Sequence, residues 1–100
     1  MARVIWSPQA ANDLEAICGY VARDSDTYAR LVAERVMEAV DQIARFPESG
    51  SIVPEFEDPA IRECFVHRWR VIHRVRKESE IEIVTIFHAS RLLRRLPGSP

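Results

Sequence analysis

The pattern of this chain predicts an α+β domain with the element order β-α-α-β-β-β, in which a helical hairpin packs on a small, mainly antiparallel sheet. Two stretches with apolar residues at three- and four-residue spacing stand together in the first half. Three β-type runs joined by short polar turns follow in the second half. Helices and strands segregated in this way define the class, because each apolar face must find a partner layer.

The elements follow in order. Ala2 to Trp6 is a short β-type run, ended by Ser7 and Pro8. Ser7 suits a helix cap and Pro8 the first helical position, where its missing N–H costs nothing. Ala10, Ala11, Leu14, Ile17, Cys18 and Val21 then form one apolar stripe, predicting a helix of about four turns. Asp24-Ser25-Asp26 breaks the pattern with residues that favour caps and turns. A second, longer helix is predicted from the stripe Ala29, Val32, Ala33, Val36, Val40 and Ile43. Phe46-Pro47 ends it, since the residue before proline is pushed out of the helical region, and Gly50 marks the turn beyond. So short a connection requires the two helices to fold back as an antiparallel hairpin.

Ser51 to Pro59 reads as a proline-bearing acidic loop. Strands are predicted over Ile61 to Val66, Arg68 to Arg76 and Ile81 to His88, with turns near His67 and at Lys77 to Glu80. In the middle strand Trp69, Val71, His73 and Val75 share one face, and Arg68, Arg70, Ile72, Arg74 and Arg76 share the other, because strand side chains alternate. That strand therefore carries a core face and a cationic face. Ile81 to Phe87 is nearly continuously apolar, as expected of a central strand or one covered on both faces. Leu92 to Leu96 is expected to add a helical turn. The domain is placed at residues 1–96, with a flexible tail at 97–100.

With 47% hydrophobic and 29% charged residues in 100, the chain suits one globular domain. The N-terminal run is too short and interrupted for a signal peptide, and no segment approaches the roughly 20 apolar residues of a membrane span. A cytoplasmic location and no membrane association are the expectation. Cys18 and Cys64 lack metal or redox spacing and are read as small apolar residues.

The net charge of −1 conceals a division. Residues 1–60 hold five arginines against eleven acidic residues, whereas residues 61–100 hold nine basic residues against four glutamates. A basic second half fits a nucleic-acid surface, an acidic protein partner or a solvated sheet face. Phosphate-binding loops, dinucleotide fingerprints, nucleophile elbows and zinc spacings do not occur, so no cofactor and no metal are expected. Two readings of the basic face stay open. Arg70, Arg74 and Arg91 could bind anionic groups while His88, with an ordinary pKa of about 6.5, exchanges a proton, the minimum equipment for metal-free RNA cleavage. Alternatively Arg62, Arg70, Arg74 and Arg76 pair across strands with Glu63, Glu78, Glu80 and Glu82.

Five segments, WSPQAANDLEAICGYVA, ARLVAERVMEAVDQIARFPESG, IREC, WRVIHRV and IVTIFHASR, resemble in order and spacing the RelE/ParE superfamily of small bacterial toxins, and specifically its ParE branch. The resemblance implies a type II toxin made beside an antitoxin that neutralises it by direct binding, with DNA reached only through that antitoxin. ParE-like members are described as inhibitors that poison DNA gyrase without catalytic residues of their own. The toxic surface is then assigned to Arg70, Arg74, His88 and Arg91. RelE-like members are similar to nucleases that cut mRNA on the ribosome with basic residues and a C-terminal tyrosine or histidine, for which Arg62, Arg70, His88 and Arg91 would serve. Lys77 is the sole lysine, and the two tyrosines, Tyr20 and Tyr28, fall in the helical hairpin. The ParE-like ending commonly has Gly-Arg-Arg where this chain has Ala89-Ser90-Arg91. A remnant that keeps the fold and the antitoxin contact but no toxicity is the third possibility.

Overall fold

The computed structural model describes residues 1–77, 79–91 and 93. Strand β1 (Arg3–Trp6) leads into helix α1 (Pro8–Ala22) and helix α2 (Asp26–Arg45). The strands β2 (Ser51–Ile52), β3 (Ile61–Val66), β4 (Trp69–Lys77) and β5 (Glu80–His88) complete one five-stranded sheet in the order β1-β5-β4-β3-β2. β1 runs parallel to β5 and every other pairing is antiparallel. The expected turn over Leu92–Leu96 and the tail at 97–100 lie outside the described residues, apart from Leu93.

Local chemistry sets both helix starts. Ser7 Oγ accepts from Ala10 N at 2.9 Å, and Ser25 Oγ accepts from Tyr28 N at 3.0 Å, so each hydroxyl satisfies an otherwise orphaned amide of the first turn. α2 stops at Phe46, whose backbone (φ −132°, ψ 78°) has left the helical region, which the following proline disfavours. Gly50 adopts φ 83°, and a Cβ there would lie 2.4 Å from the Glu63 carbonyl oxygen. Only glycine fits this turn without strain. It lets the chain reverse against β3, so Ser51–Ile52 pairs with Arg62 and Glu63 as a fifth, two-residue strand where the sequence pattern suggested only loop.

The predicted stripes meet as one core. Ile17 and Val21 of α1, and Val32, Val36, Val40 and Ile43 of α2, pack with Val66, Val71, Ile81, Ile83 and Ile86 of the sheet. Burying each such side chain contributes about 1.5–3 kcal/mol. A second cluster occupies the opposite face: Val53, Ile61, Ile72, Val84 and Phe87 are buried together, with Phe56 and Leu93 against them. β5 is thus covered on both sides, which explains its unbroken apolar sequence. The same cluster claims Ile72, so the supposed cationic face of β4 has an apolar centre.

One irregularity organises the sheet edge. Ile72 pairs with Thr85 but His73 pairs with Ile83, leaving Val84 as the extra residue of a β-bulge. β1 reaches only to Ile83, so the rest of that edge needs other partners. Ser7 Oγ donates to the Val84 carbonyl at 2.6 Å, and the Asp13 carboxylate accepts from Ile86 N at 2.9 Å and from Thr85 Oγ1 at 2.7 Å. The first two turns of α1 therefore serve as a substitute strand.

Candidate functional site: the basic face of the sheet

Arg70 sits at the centre of the face turned away from the helices, with its side chain only 6% exposed. Its Nε donates to Glu63 Oε1 at 2.6 Å, and its two terminal nitrogens donate to the two oxygens of Glu55 at 2.8 and 3.0 Å. Glu63 comes from the neighbouring strand, opposite Ile72 and so diagonal to Arg70, while Glu55 comes from the loop after β2. The guanidinium also lies over the Phe87 ring, 5.0 Å from its centroid. Each nitrogen of the planar fork donates to a carboxylate, the geometry in which such pairs are strongest. The Arg70 hydrogen bonds, helped by that from Leu93 N, hold the Glu55 carboxyl down to about 2, well below the usual carboxylate range. Glu55, followed by Glu63, in turn raises the pKa of Arg70 against the opposing effect of its burial.

This node ties down the segment after β5. Leu93 N donates to Glu55 Oε2 at 2.9 Å, Arg70 reaches the Arg91 carbonyl at 3.4 Å, and the Arg91 guanidinium lies 5.9 Å from the Phe87 ring centroid. Arg91 itself is exposed. A shallow groove lined by Phe65, Arg70, Ser90 and Arg91 runs beside the node, and Phe65 is 59% exposed.

The remaining predicted site residues are spread over both faces. Arg74 pairs with Glu82 at 3.0 Å and Arg76 with Glu80 at 3.5 Å, so the cross-strand reading describes these arginines. Glu78, the fourth expected partner, lies outside the described residues. Arg62 donates to the carbonyls of Pro59 at 3.0 Å and Gly50 at 3.4 Å. His88 is half-buried, with its ring edge-on to Trp69 at 5.4 Å between centroids and its Nδ1 2.7 Å from Ser90 Oγ. Arg70 and Arg91 are therefore neighbours; the His88 carbonyl accepts from Arg91 N at 3.0 Å but its ring turns to Trp69, and Arg74 and Arg62 have partners of their own.

Two features escape a reading by sequence position. Glu55 lies in the loop and gives no periodic signal, yet supplies both oxygens to Arg70. Tyr20 and Tyr28, assigned to the helical hairpin and hence away from the sheet, line the same cleft as His88, because the α1–α2 turn packs beside the β3–β4 turn. Among the described residues no group of three His, Cys, Asp or Glu side chains is placed to hold a metal. Cys18 and Cys64 are free thiols. Burial raises the pKa of both, and Glu63 raises that of Cys64 further, which keeps them protonated and poorly nucleophilic. No described helix is long and apolar enough to cross a membrane.

Comparison with known proteins converges with this geometry. The family model described as ParE toxin of type II toxin-antitoxin system, parDE, matches residues 4–93. The chain is similar to Toxin RelE2 of Caulobacter vibrioides, 35% identical over 92 residues that cover 92% of this chain and all of that protein. It is also similar to a solved structure described as the chromosomal ParDE TA system from P. aeruginosa, with a TM-score of 0.69 and 27% identity over 88% of this chain and 96% of that one. The helical hairpin, the mixed sheet and a match over nearly the full length lead to one conclusion: the chain belongs to the ParE toxin family of type II toxin-antitoxin systems.

Proposed function

We propose that this protein arrests growth by binding DNA gyrase, without a catalytic step of its own, and that a cognate antitoxin neutralises it by covering the binding surface. The observation that carries this reading is the state of Arg70. A guanidinium that stabilises a phosphoryl transition state must turn its donors to the developing charge, and here each of the three Arg70 nitrogens already donates to a carboxylate of the node. Arg74 and Arg76 are likewise paired. The exposed part of the toxic surface is then Arg91 and His88, flanked by Arg74, with Arg70 acting from behind as the group that positions the Arg91 segment. An acidic antitoxin segment with apolar anchors suits this face, where Phe65 stands exposed beside Arg91. Purified toxin added to gyrase is expected to block supercoiling or accumulate cleaved DNA complexes, and the antitoxin to reverse the effect. Gyrase untouched by a large excess of toxin would remove this reading.

A second reading has its own support. His88 shares a cleft with Tyr20, Tyr28 and Arg68, a set that contains a proton-exchanging group and a cation, and the curated relative carries the name Toxin RelE2. It predicts codon-phased mRNA cuts in a translation extract that disappear with His88→Ala or Arg91→Ala. Intact mRNA in that extract would count against it.

A further inference from the structure

We propose that Ser90 is a nucleophile activated by His88, and a site of covalent modification that accepts a phosphoryl group from an activated phosphoryl donor. The inference holds whichever target the toxin has. The Ser90 hydroxyl lies 2.7 Å from His88 Nδ1, and the Ser90 amide donates to the same nitrogen at 3.1 Å. An amide N–H can only donate, so Nδ1 is the acceptor, the ring hydrogen sits on Nε2, and the hydroxyl turns its proton to the imidazole. This is the pairing by which a base activates a serine.

The surroundings hold the pair in place. Arg91 N donates to the His88 carbonyl at 3.0 Å, closing a tight turn around Ser90, and Ala89 N donates to the Arg68 carbonyl at 2.8 Å, which fastens that turn to the β3–β4 connection. The His88 ring packs edge-on against Trp69, so the base is half-buried while Ser90 beside it is exposed. The other described serines lack this arrangement. Ser7 is buried with its hydroxyl donating to the Val84 carbonyl, Ser25 caps α2, and none of Ser49, Ser51 and Ser79 has its hydroxyl bonded to an imidazole.

Charge selects the electrophile. Ser90 lines the groove of about 450 Å³ beside the Arg70 node, and of the charged residues there Glu55, Glu63 and Arg70 are tied to one another whereas Arg91 alone is exposed. A phosphoryl group brings anionic oxygens to that guanidinium. In the transfer the bond between Ser90 Oγ and phosphorus forms as the bond from phosphorus to the leaving group breaks, the hydroxyl proton passes to His88 Nδ1, and the leaving group departs with the electron pair. The product is a phosphoserine of about −1.5 to −2 charge at neutral pH, directly preceding Arg91 in the chain.

The test incubates the full chain with a fluorophosphonate ester, whose fluoride leaves as the serine oxygen bonds to phosphorus, and locates the adduct by peptide mass spectrometry. One adduct is expected, on Ser90, absent from Ser90→Ala and retained in Ser51→Ala. His88→Asn sets an amide oxygen where Nδ1 stood, which keeps an acceptor for the turn but takes up no proton, and should slow labelling about a hundredfold. Circular dichroism of each variant verifies that the fold persists. Acetyl phosphate, an anionic donor whose leaving group is acetate, should place phosphate on the same residue, and Arg91→Ala should lower that yield at least about tenfold. The proposal is overturned by an unlabelled protein, by an adduct on another serine in place of Ser90, by an unchanged labelling rate in His88→Asn, or by acetyl phosphate leaving Ser90 unmodified.

Discussion

Glu55 and Arg70 meet through two parallel hydrogen bonds, 2.8 and 3.0 Å long, although fifteen residues separate them in the chain. The bond from Leu93 N to the same carboxylate extends the contact to the segment after β5. A loop, a central strand and the start of the segment after β5 are thus fastened at one ion pair.

Arg70→Ala leaves Glu63 and much of Glu55 buried without compensation, and is expected to destabilise the fold by about 3–5 kcal/mol in urea unfolding. Replacing all three partners together, as Arg70→Met with Glu63→Met and Glu55→Met, should recover at least half of that loss. A single substitution with no measurable effect would mean that the node does not anchor the sheet.

The node also predicts acid sensitivity. Glu55 titrates at about 2 in the fold against an ordinary 4.5, so the unfolded chain binds its proton first as pH falls. Its stabilisation is complete above pH 4.5 and is lost as pH drops from there towards 2. Thermal unfolding of the native chain and of Glu55→Gln should differ above that window and converge below it.

His73 predicts a separate window. Its ring is fully buried, its Nε2 lies 2.7 Å from the Pro47 carbonyl as donor, and its Nδ1 has no partner. Burial pushes the imidazole pKa below the ordinary 6.5, with the Pro47 carbonyl opposing and Arg62 adding to the depression. The folded state keeps His73 neutral while the unfolded state takes up a proton below pH 6.5, so stability is flat above that value and declines below it. The His73 ring signals in NMR should show no titration step at 6.5, and His73→Gln should remove the decline between pH 6.5 and the onset of the Glu55 window.

Asp13 offers a test of the sheet edge. It accepts from Thr85 Oγ1 and Ile86 N across seventy-two and seventy-three residues of chain. Asp13→Ala leaves the Ile86 amide without its acceptor and should cost about 1.5–3 kcal/mol, the range for hydrogen bonds to charged groups. Hydrogen exchange at Ile86 N should accelerate in the variant.

The helices were legible because their signals are local: Ser7, Ser25 and Pro47 mark ends within one turn of the residues they act on, and the apolar stripes repeat at helical spacing. The strands and the Arg74–Glu82 pairing were legible for the same reason, since alternation and short turns fix which side chains face each other. Glu55 was not, because a loop residue finds its partner only after the chain has closed. Ile72 was misleading, since arginines on either side gave its face a cationic look, while Val53, Ile61, Val84 and Phe87 converge on it from three other segments. The placement of Tyr20 and Tyr28 beside His88 depends on how the helical hairpin lies across the sheet, which no spacing in the sequence records.

β5 is the last strand in the chain, yet it lies between β1 and β4. During synthesis the N-terminal strand and both helices emerge while the strand that must join them is still inside the ribosome. The apolar stripes of α1 and α2 therefore lack part of their sheet partner until β5 has been made. A chain of this topology completes its sheet only when β5 inserts between β1 and β4, so the face that carries Phe87 and Arg91 is assembled in that same closing step.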